Sequence, residues 1–206
     1  MKNKEKIIVS ATRLFNENGF VNVRLQHISD DTIISVGNIA YHFRNKEAIV
    51  NEIFVSLEKE LRAALIEYRN TPIFENVERV FSSVQAVQEQ YSFFFTDIVE
   101  IKRSHPDLFE KLQALFQWQV FMFQEILRFN HSRGALISLS ENATSFLALH
   151  IIQTLNAWPA LVLGLDQKDD TPKHSLSEYL WQILHAYMTE SGKEEYQVMR
   201  DQMIKY

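Results

Sequence analysis

Ser35-Val36-Gly37-Asn38-Ile39-Ala40-Tyr41-His42-Phe43-Arg44-Asn45-Lys46 is the stretch whose reading decides the fold. Ser35 is a natural N-cap, since its side-chain oxygen can take up a backbone N–H that a first helical turn leaves without a partner. Gly37 inside so short a helix costs about 1 kcal/mol against alanine, and close approach of another backbone is a usual compensation. Ser35, Asn38, Tyr41 and His42 place hydroxyl, amide, phenol and imidazole groups on an otherwise apolar unit. Such groups suit phosphates and base edges. Lys46 adds a positive charge at the N-terminus of the next helix, whose dipole also favours phosphate.

Upstream, Ile7, Ala11, Leu14 and Phe15 recur at helical spacing, and Asn18-Gly19 marks a stop. A second short helix is predicted over Leu25–Asp31, with Leu25 and Ile28 inward. Two short helices joined by a tight turn, within a three-helix unit, form the outline of a helix-turn-helix. The competing reading is a corner in which Tyr41-His42-Phe43 packs against the first helix.

Downstream, Asn45 caps a long helix in which Ile49, Ile53, Leu57, Leu61 and Leu65 form a four-residue ladder, ending near Asn70-Thr71-Pro72. Further helices are predicted over 74–90, 91–104, 107–130, 141–163, 174–190 and 193–204. The breaks are Ser104-His105-Pro106 and Arg133-Gly134, and residues 166–172 form a loop. Its aspartates, Asp166, Asp169 and Asp170, lack the glycine and terminal glutamate of a calcium loop.

Composition narrows the chemistry. The chain has 206 residues, 46% of them apolar and 12% aromatic, with no cysteine. That excludes disulfides, thiolate catalysis and Cys-ligated metal. Five glycines and four prolines are too few for a sheet-rich chain, which needs frequent turn residues. Neither a His-Glu-X-X-His nor a G-x-S-x-G motif occurs, so no catalytic residue, metal site or cofactor is expected and the chain is not read as an enzyme. No uninterrupted apolar run approaches the roughly 18–20 residues of a membrane span, and the N-terminus does not read as a leader, so a cytoplasmic chain without a membrane partner is expected. The net charge of −5 is unevenly spread: residues 1–47 carry seven Lys or Arg against five acids, and the remainder is acidic.

The residues from Ile8 through Ala11-Thr12-Arg13-Leu14-Phe15-Asn16-Glu17-Asn18-Gly19-Phe20, then Ile28-Ser29, then Ser35 to Ile49, resemble the N-terminal DNA-binding domain of TetR-family (TetR/AcrR-like) transcriptional regulators. The resemblance implies an all-α chain, with a helix-turn-helix DNA-binding domain over 1–47 and a larger helical effector-binding and dimerisation domain over 48–206. It implies a homodimeric repressor, released from a palindromic double-stranded DNA operator by a small, largely apolar effector. By position, Arg24, Ser35, Val36, Asn38, Ile39, Tyr41, His42 and Lys46 are the implied DNA-binding residues. There are departures. Val23-Arg24 stands where a Thr or Ser usually opens the second helix, so a good N-cap is lost. Thr32-Ile33-Ile34-Ser35 replaces the common Ala-Gly-Val-Ser, which puts Ile33 where glycine would allow positive φ and predicts a differently shaped turn. Ala40 replaces a frequent tyrosine.

In the second domain, Phe93, Phe94, Phe95, Phe109, Phe116, Trp118, Phe121, Phe123 and Phe129 concentrate aromatic surface. A helix apolar on two faces is central in a bundle, and some of its residues can also line a cavity. Phe95, Val99, Trp118, Met122, His150 and Gln153 are the candidate effector-pocket residues. Helices 141–163 and 174–190 correspond in such regulators to a four-helix dimer contact, here with Leu155, Trp158, Leu180, Trp181, Leu184, His185 and Met188 at the interface. The alternative is a helical ligand-binding protein or enzyme acting on a lipid-like substrate without DNA binding.

Overall fold

The computed structural model describes residues 2–164 and 175–203. Eleven helices are found among them: α1 (Asn3–Asn18), α2 (Leu25–Thr32), α3 (Val36–His42), α4 (Lys46–Ile66), α5 (Phe74–Gln90), α6 (Phe93–Thr96), α7 (Ile98–Ser104), α8 (Pro106–Ser132), α9 (Glu141–Gly164), α10 (Leu176–His185) and α11 (Glu190–Met203). No strand occurs among the described residues, only an isolated antiparallel bridge between Leu136 and Met188. The expected loop over 166–172, with Asp166, Asp169 and Asp170, lies outside the described residues.

The chain forms two compact units. One holds the chain through Leu61 together with Val87–Gln113, and the other holds Arg62–Ala86 and everything from Ala114. These units do not coincide with the division between functions expected at 47/48. The reason lies in what the first unit needs to close its core. Phe15 and Phe20 meet the Phe93 ring at centroid distances of 5.1 and 6.2 Å, and Phe54 meets Phe94 at 6.0 Å. Ile7, Ala11, Phe15, Ile28, Ile39, Ile49 and Ile53 are all fully buried, so α1 to α4 share one apolar centre. The predicted ladder is real: Ile49, Ile53, Leu57, Leu61 and Leu65 are buried along one face of α4. Asn45 caps that helix, its Oδ1 accepting the Ala48 N–H at 2.9 Å.

Segment 91–104 was expected as one helix and is two, α6 and α7, broken at Asp97. The break has a cause. The Asp97 carboxylate accepts the Phe20 backbone N–H at 2.6 Å, which pulls this residue away from regular helical geometry toward the loop after α1.

The second unit is built around Phe81, Phe123 and Trp181. Phe81 stacks on Phe123 at 5.8 Å, and the Trp181 indole meets Phe74 and Phe81 edge-on at 5.1 and 5.7 Å. The helix expected over 174–190 stops at His185, because the chain after it turns to pair with the segment following α8. Ile137 N–H donates to Tyr187 O at 2.9 Å, and Thr189 N–H to Ala135 O at 3.1 Å. Gly192 of α11 fits against that segment for want of a side chain: a Cβ there would lie 2.0 Å from the Ala135 carbonyl oxygen.

Candidate nucleic-acid interface

The helix-turn-helix is assembled from α2, the turn Ile33–Ser35, and α3. Ile28, Ile34, Ile39 and Phe43 are its buried anchors. The Ser35 hydroxyl accepts the Asn38 N–H at 3.2 Å, the cap expected of it. At the other helix start, the missing Ser or Thr cap is partly replaced: the Arg24 N–H donates to His27 Nδ1 at 3.2 Å. An ion-pair network ties α1 to α2. The Asp31 carboxylate accepts the buried Ser10 hydroxyl at 2.6 Å and the Arg13 guanidinium at 2.5 Å, and Arg13 also holds Glu17. These bonds, the Ser10 hydroxyl first and Arg13 second, keep the Asp31 carboxyl below its ordinary pKa.

The turn departs from expectation. Its backbone keeps the shape that glycine would favour, with Ile33 itself at φ 58°, ψ 32° in the left-handed region, and its side chain is 94% exposed. The β-branched residue absorbs the strain rather than reshaping the turn, because burial of Ile28 and Ile34 on either side fixes the path of the chain.

Apart from Ala40 and the bare Gly37, what α3 leaves exposed is polar. Tyr41 is 86% exposed, with its ring edge-on to His42 at 5.3 Å, and Ser35 and Asn38 are exposed with it. A Cβ on Gly37 would meet nothing within 4 Å, so no packing among the described residues accounts for glycine there. Arg24 and Arg44 are exposed and make no ion pair among the described residues, whereas Lys4 and Arg13 are paired with acids. Val36 and His42 are half-buried. The Tyr41-His42-Phe43 corner is therefore divided: Phe43 packs inward and Tyr41 faces solvent.

Two of the expected DNA-binding residues stand differently. Ile39 is fully buried, so it supports the helix from within. The Lys46 ammonium turns back to the loop after α1, donating to Phe20 O at 2.8 Å and Val23 O at 3.0 Å over the Phe20 ring. Burial pushes its pKa down. Lys46 is thus a fastener of the loop that leads into α2. Sequence reading also missed Asp97, the second fastener of that loop, which lies 77 positions from Phe20; nothing local in the sequence marks such a bond.

The residues expected in the second domain are spread out. Phe95 is buried in α6 and Val99 is exposed on α7, both in the first unit. Trp118 and Met122 are half-buried on α8, and the Arg62 guanidinium lies 4.4 Å above the Trp118 ring. His150 and Gln153 are exposed on α9 instead of lining an interior, and His150 borders a groove of about 410 Å³ between α9 and α10. Of the residues expected at the interface, Leu155, Leu180, Trp181, Leu184 and Met188 are buried within the single chain. Trp158 is half-buried with its ring 5.1 Å from Tyr179, and His185 is exposed. The apolar surface that these helices do expose is carried by Phe146, Leu149, Leu161, Val162 and Tyr179. Contrary to the expectation from run length, α9 is long and apolar enough, by length and composition alone, to cross a membrane, and 28% of its most apolar stretch is buried. Scattered polar residues such as His150, Gln153 and Asn156 interrupt its runs, yet its average remains apolar.

A buried three-helix frame, with a polar, glycine-bearing recognition helix exposed on it, defines a helix-turn-helix DNA-binding regulator. The profile of bacterial regulatory proteins of the tetR family matches residues 7–53, and that of the TetR bacterial transcriptional repressors matches residues 56–196. The chain belongs to the TetR family. The probable HTH-type transcriptional regulator YttP of Bacillus subtilis (strain 168) is 30% identical over 109 residues, which are 51% of this chain and 46% of YttP. The match thus spans about half the length of that relative. A TetR-family transcriptional regulator from Marinobacter aquaeolei VT8 superposes with a TM-score of 0.85 at 25% identity, over 98% of each chain. PfmR, a TetR-family regulator from Thermus thermophilus, superposes with a TM-score of 0.67 at 24% identity, over 87% of this chain and 97% of its own. The ketosteroid transcriptional regulator KstR2 of Mycobacterium tuberculosis shares the fold, with a TM-score of 0.68 at 15% identity over 92% and 96% of the two chains.

Proposed function

We propose that the chain is a homodimeric repressor of the cytoplasm, released from a palindromic operator by a small effector with a largely apolar body. The observation that carries the reading is the outward face of α3, where Ser35, Asn38 and Tyr41 stand exposed around a Gly37 whose missing side chain nothing among the described residues explains. On this reading Gly37 lets a DNA backbone approach closely, Tyr41 and Arg24 hold phosphates, and Asn38 reads a base edge. Ile39 and Lys46 serve by holding the motif in shape. A second copy of the chain covers the exposed apolar stripe of α9 and α10, and its own recognition helix meets the next major groove.

The effector acts by a population shift: it prefers dimers whose recognition helices are wrongly spaced, so operator affinity falls by its differential affinity for that state. No catalytic step is assigned to any residue. The test is fluorescence anisotropy with the DNA upstream of the chain's own gene. Sequence-specific binding is expected, with log affinity falling linearly against log salt through counterion release. Binding no tighter than to random DNA at moderate salt overturns the reading.

A further inference from the structure

The second unit holds a cavity of about 430 Å³ next to one of about 190 Å³, and the two share Glu78, Met199 and Met203. Glu78 of α5 is only 8% exposed. Its Oε2 accepts the Trp181 indole N–H at 2.5 Å and the Ser177 hydroxyl, while Oε1 accepts only the Ser82 hydroxyl, at 3.4 Å. Among the described residues it has no ion-pair partner. Taking a carboxylate out of water against neutral donors alone is expensive, and buried charges are normally matched by an opposite one. Oε1 in particular has acceptor capacity left over, on a residue that lines both cavities.

The surroundings say what would complete it. Tyr68 borders the larger cavity and Trp181 and Tyr196 the smaller one, and aromatic rings attract cations. Met199 and Met203 add polarizable, adaptable apolar walls. Three carboxylates, Glu75, Glu78 and Glu178, face the two cavities against two guanidiniums, leaving one negative charge. Both guanidiniums are engaged: Arg79 holds Glu75 at 2.6 Å, and Arg200 lies 5.9 Å over the Tyr196 ring. An anion entering here would meet the uncompensated carboxylate, whereas a cation would neutralise it.

We propose that this cavity binds an organic cation, an ammonium group on an apolar body, with Glu78 as its counter-ion. The assignment rests on the reading of the chain as an effector-released repressor only for its consequence at DNA; the binding itself requires no operator.

The test is calorimetry on the full chain with three probes that share one body: 4-phenylbutylamine, an ammonium at neutral pH, 4-phenylbutanol and 4-phenylbutyrate. The amine is expected to bind at least about tenfold more tightly than the alcohol, a difference of about 1.4 kcal/mol, with butyrate weaker still. Glu78→Gln, which keeps the shape and removes the charge, is expected to erase the amine's advantage. Gln202→Trp, at an exposed position on the rim of the larger cavity, is expected to block the amine while leaving Glu78 and its hydrogen-bond donors in place, and it decides the matter if Glu78→Gln does not fold. Equal binding of amine and alcohol, preference for butyrate, no binding of the amine, or an amine indifferent to both variants overturns the proposal. Amine binding that leaves operator affinity unchanged supports the site and removes its role in releasing DNA, so the two readings fail separately.

Discussion

Helix α3 and helix α9 each leave a face uncovered, and the two faces differ in kind. On α3 the exposed groups are the Ser35 cap, Asn38 and Tyr41, short or planar hydrogen-bonding side chains around a bare glycine. On α9 they are Phe146, 64% exposed, with Leu149, Leu161 and Val162. A hydrated polyanion is met by the first kind of surface and repelled by nothing on it. The second kind is costly in water at about 25 cal/mol per Å² and is relieved by a surface like itself. On the proposed reading, one chain thus carries a face for a chemically foreign partner and a face for its own copy.

The sharpest way to break this contrast is to charge the apolar face. Phe146→Asp with Leu149→Asp is expected to give monomers in sedimentation and to weaken operator binding on the order of 100-fold or more, since each half-site is then bound alone. An intact dimer would move the self-contact elsewhere. Next in size is Lys46→Met, which leaves the Phe20 and Val23 carbonyls without their donor. It is expected to lower stability in urea by about 2 kcal/mol; unchanged stability with weakened DNA binding would return Lys46 to the polar face of the contrast. Ile33→Gly relieves a left-handed β-branched residue and, after the added freedom of the unfolded chain, is expected to raise stability by about 0.5–1 kcal/mol. A loss would mean that the exposed Ile33 side chain contributes to folding.

The smallest effect is one of pH. Asp31 has a depressed carboxyl pKa in the folded chain, so the unfolded chain binds the proton more readily. Its contribution is present above the unfolded value of about 4 and is lost as pH falls through the folded one. Asp31→Asn is expected to flatten the acid limb of the stability–pH curve below that value. An unaltered limb would show that Ser10 and Arg13 hold the helices together without help from its charge.

The reader was legible because its signals are local. Ser35 and Asn45 cap the helices they were expected to cap, and the α4 ladder is buried at every rung from Ile49 to Leu65. Where the sequence misled, the deciding force was long-range. Ile39 carries the same helical spacing whether it faces DNA or the core, and only the packing of the whole motif settles which; here it is fully buried. At Ile33 the intrinsic backbone preference argues for a reshaped turn, and the burial of its neighbours overrides it. On α10, Leu180, Trp181 and Leu184 form a strong apolar stripe, but a stripe does not say whether its cover is the same chain or another; here it is the same chain. The Glu78 cavity had no signal at all, because Ser177 and Trp181 reach it from 99 and 103 positions away.

The Asp97 bond to Phe20 has a practical consequence for anyone wishing to borrow the reader as a detachable part. A fragment ending near residue 47 would carry the whole recognition motif and lack its keystone. Phe15 and Phe20 would lose the Phe93 ring, and the Phe20 N–H would lose its acceptor. In this chain the DNA-reading piece is discontinuous in sequence, and a working transplant would have to bring the segment from Val87 to Gln113 along with it.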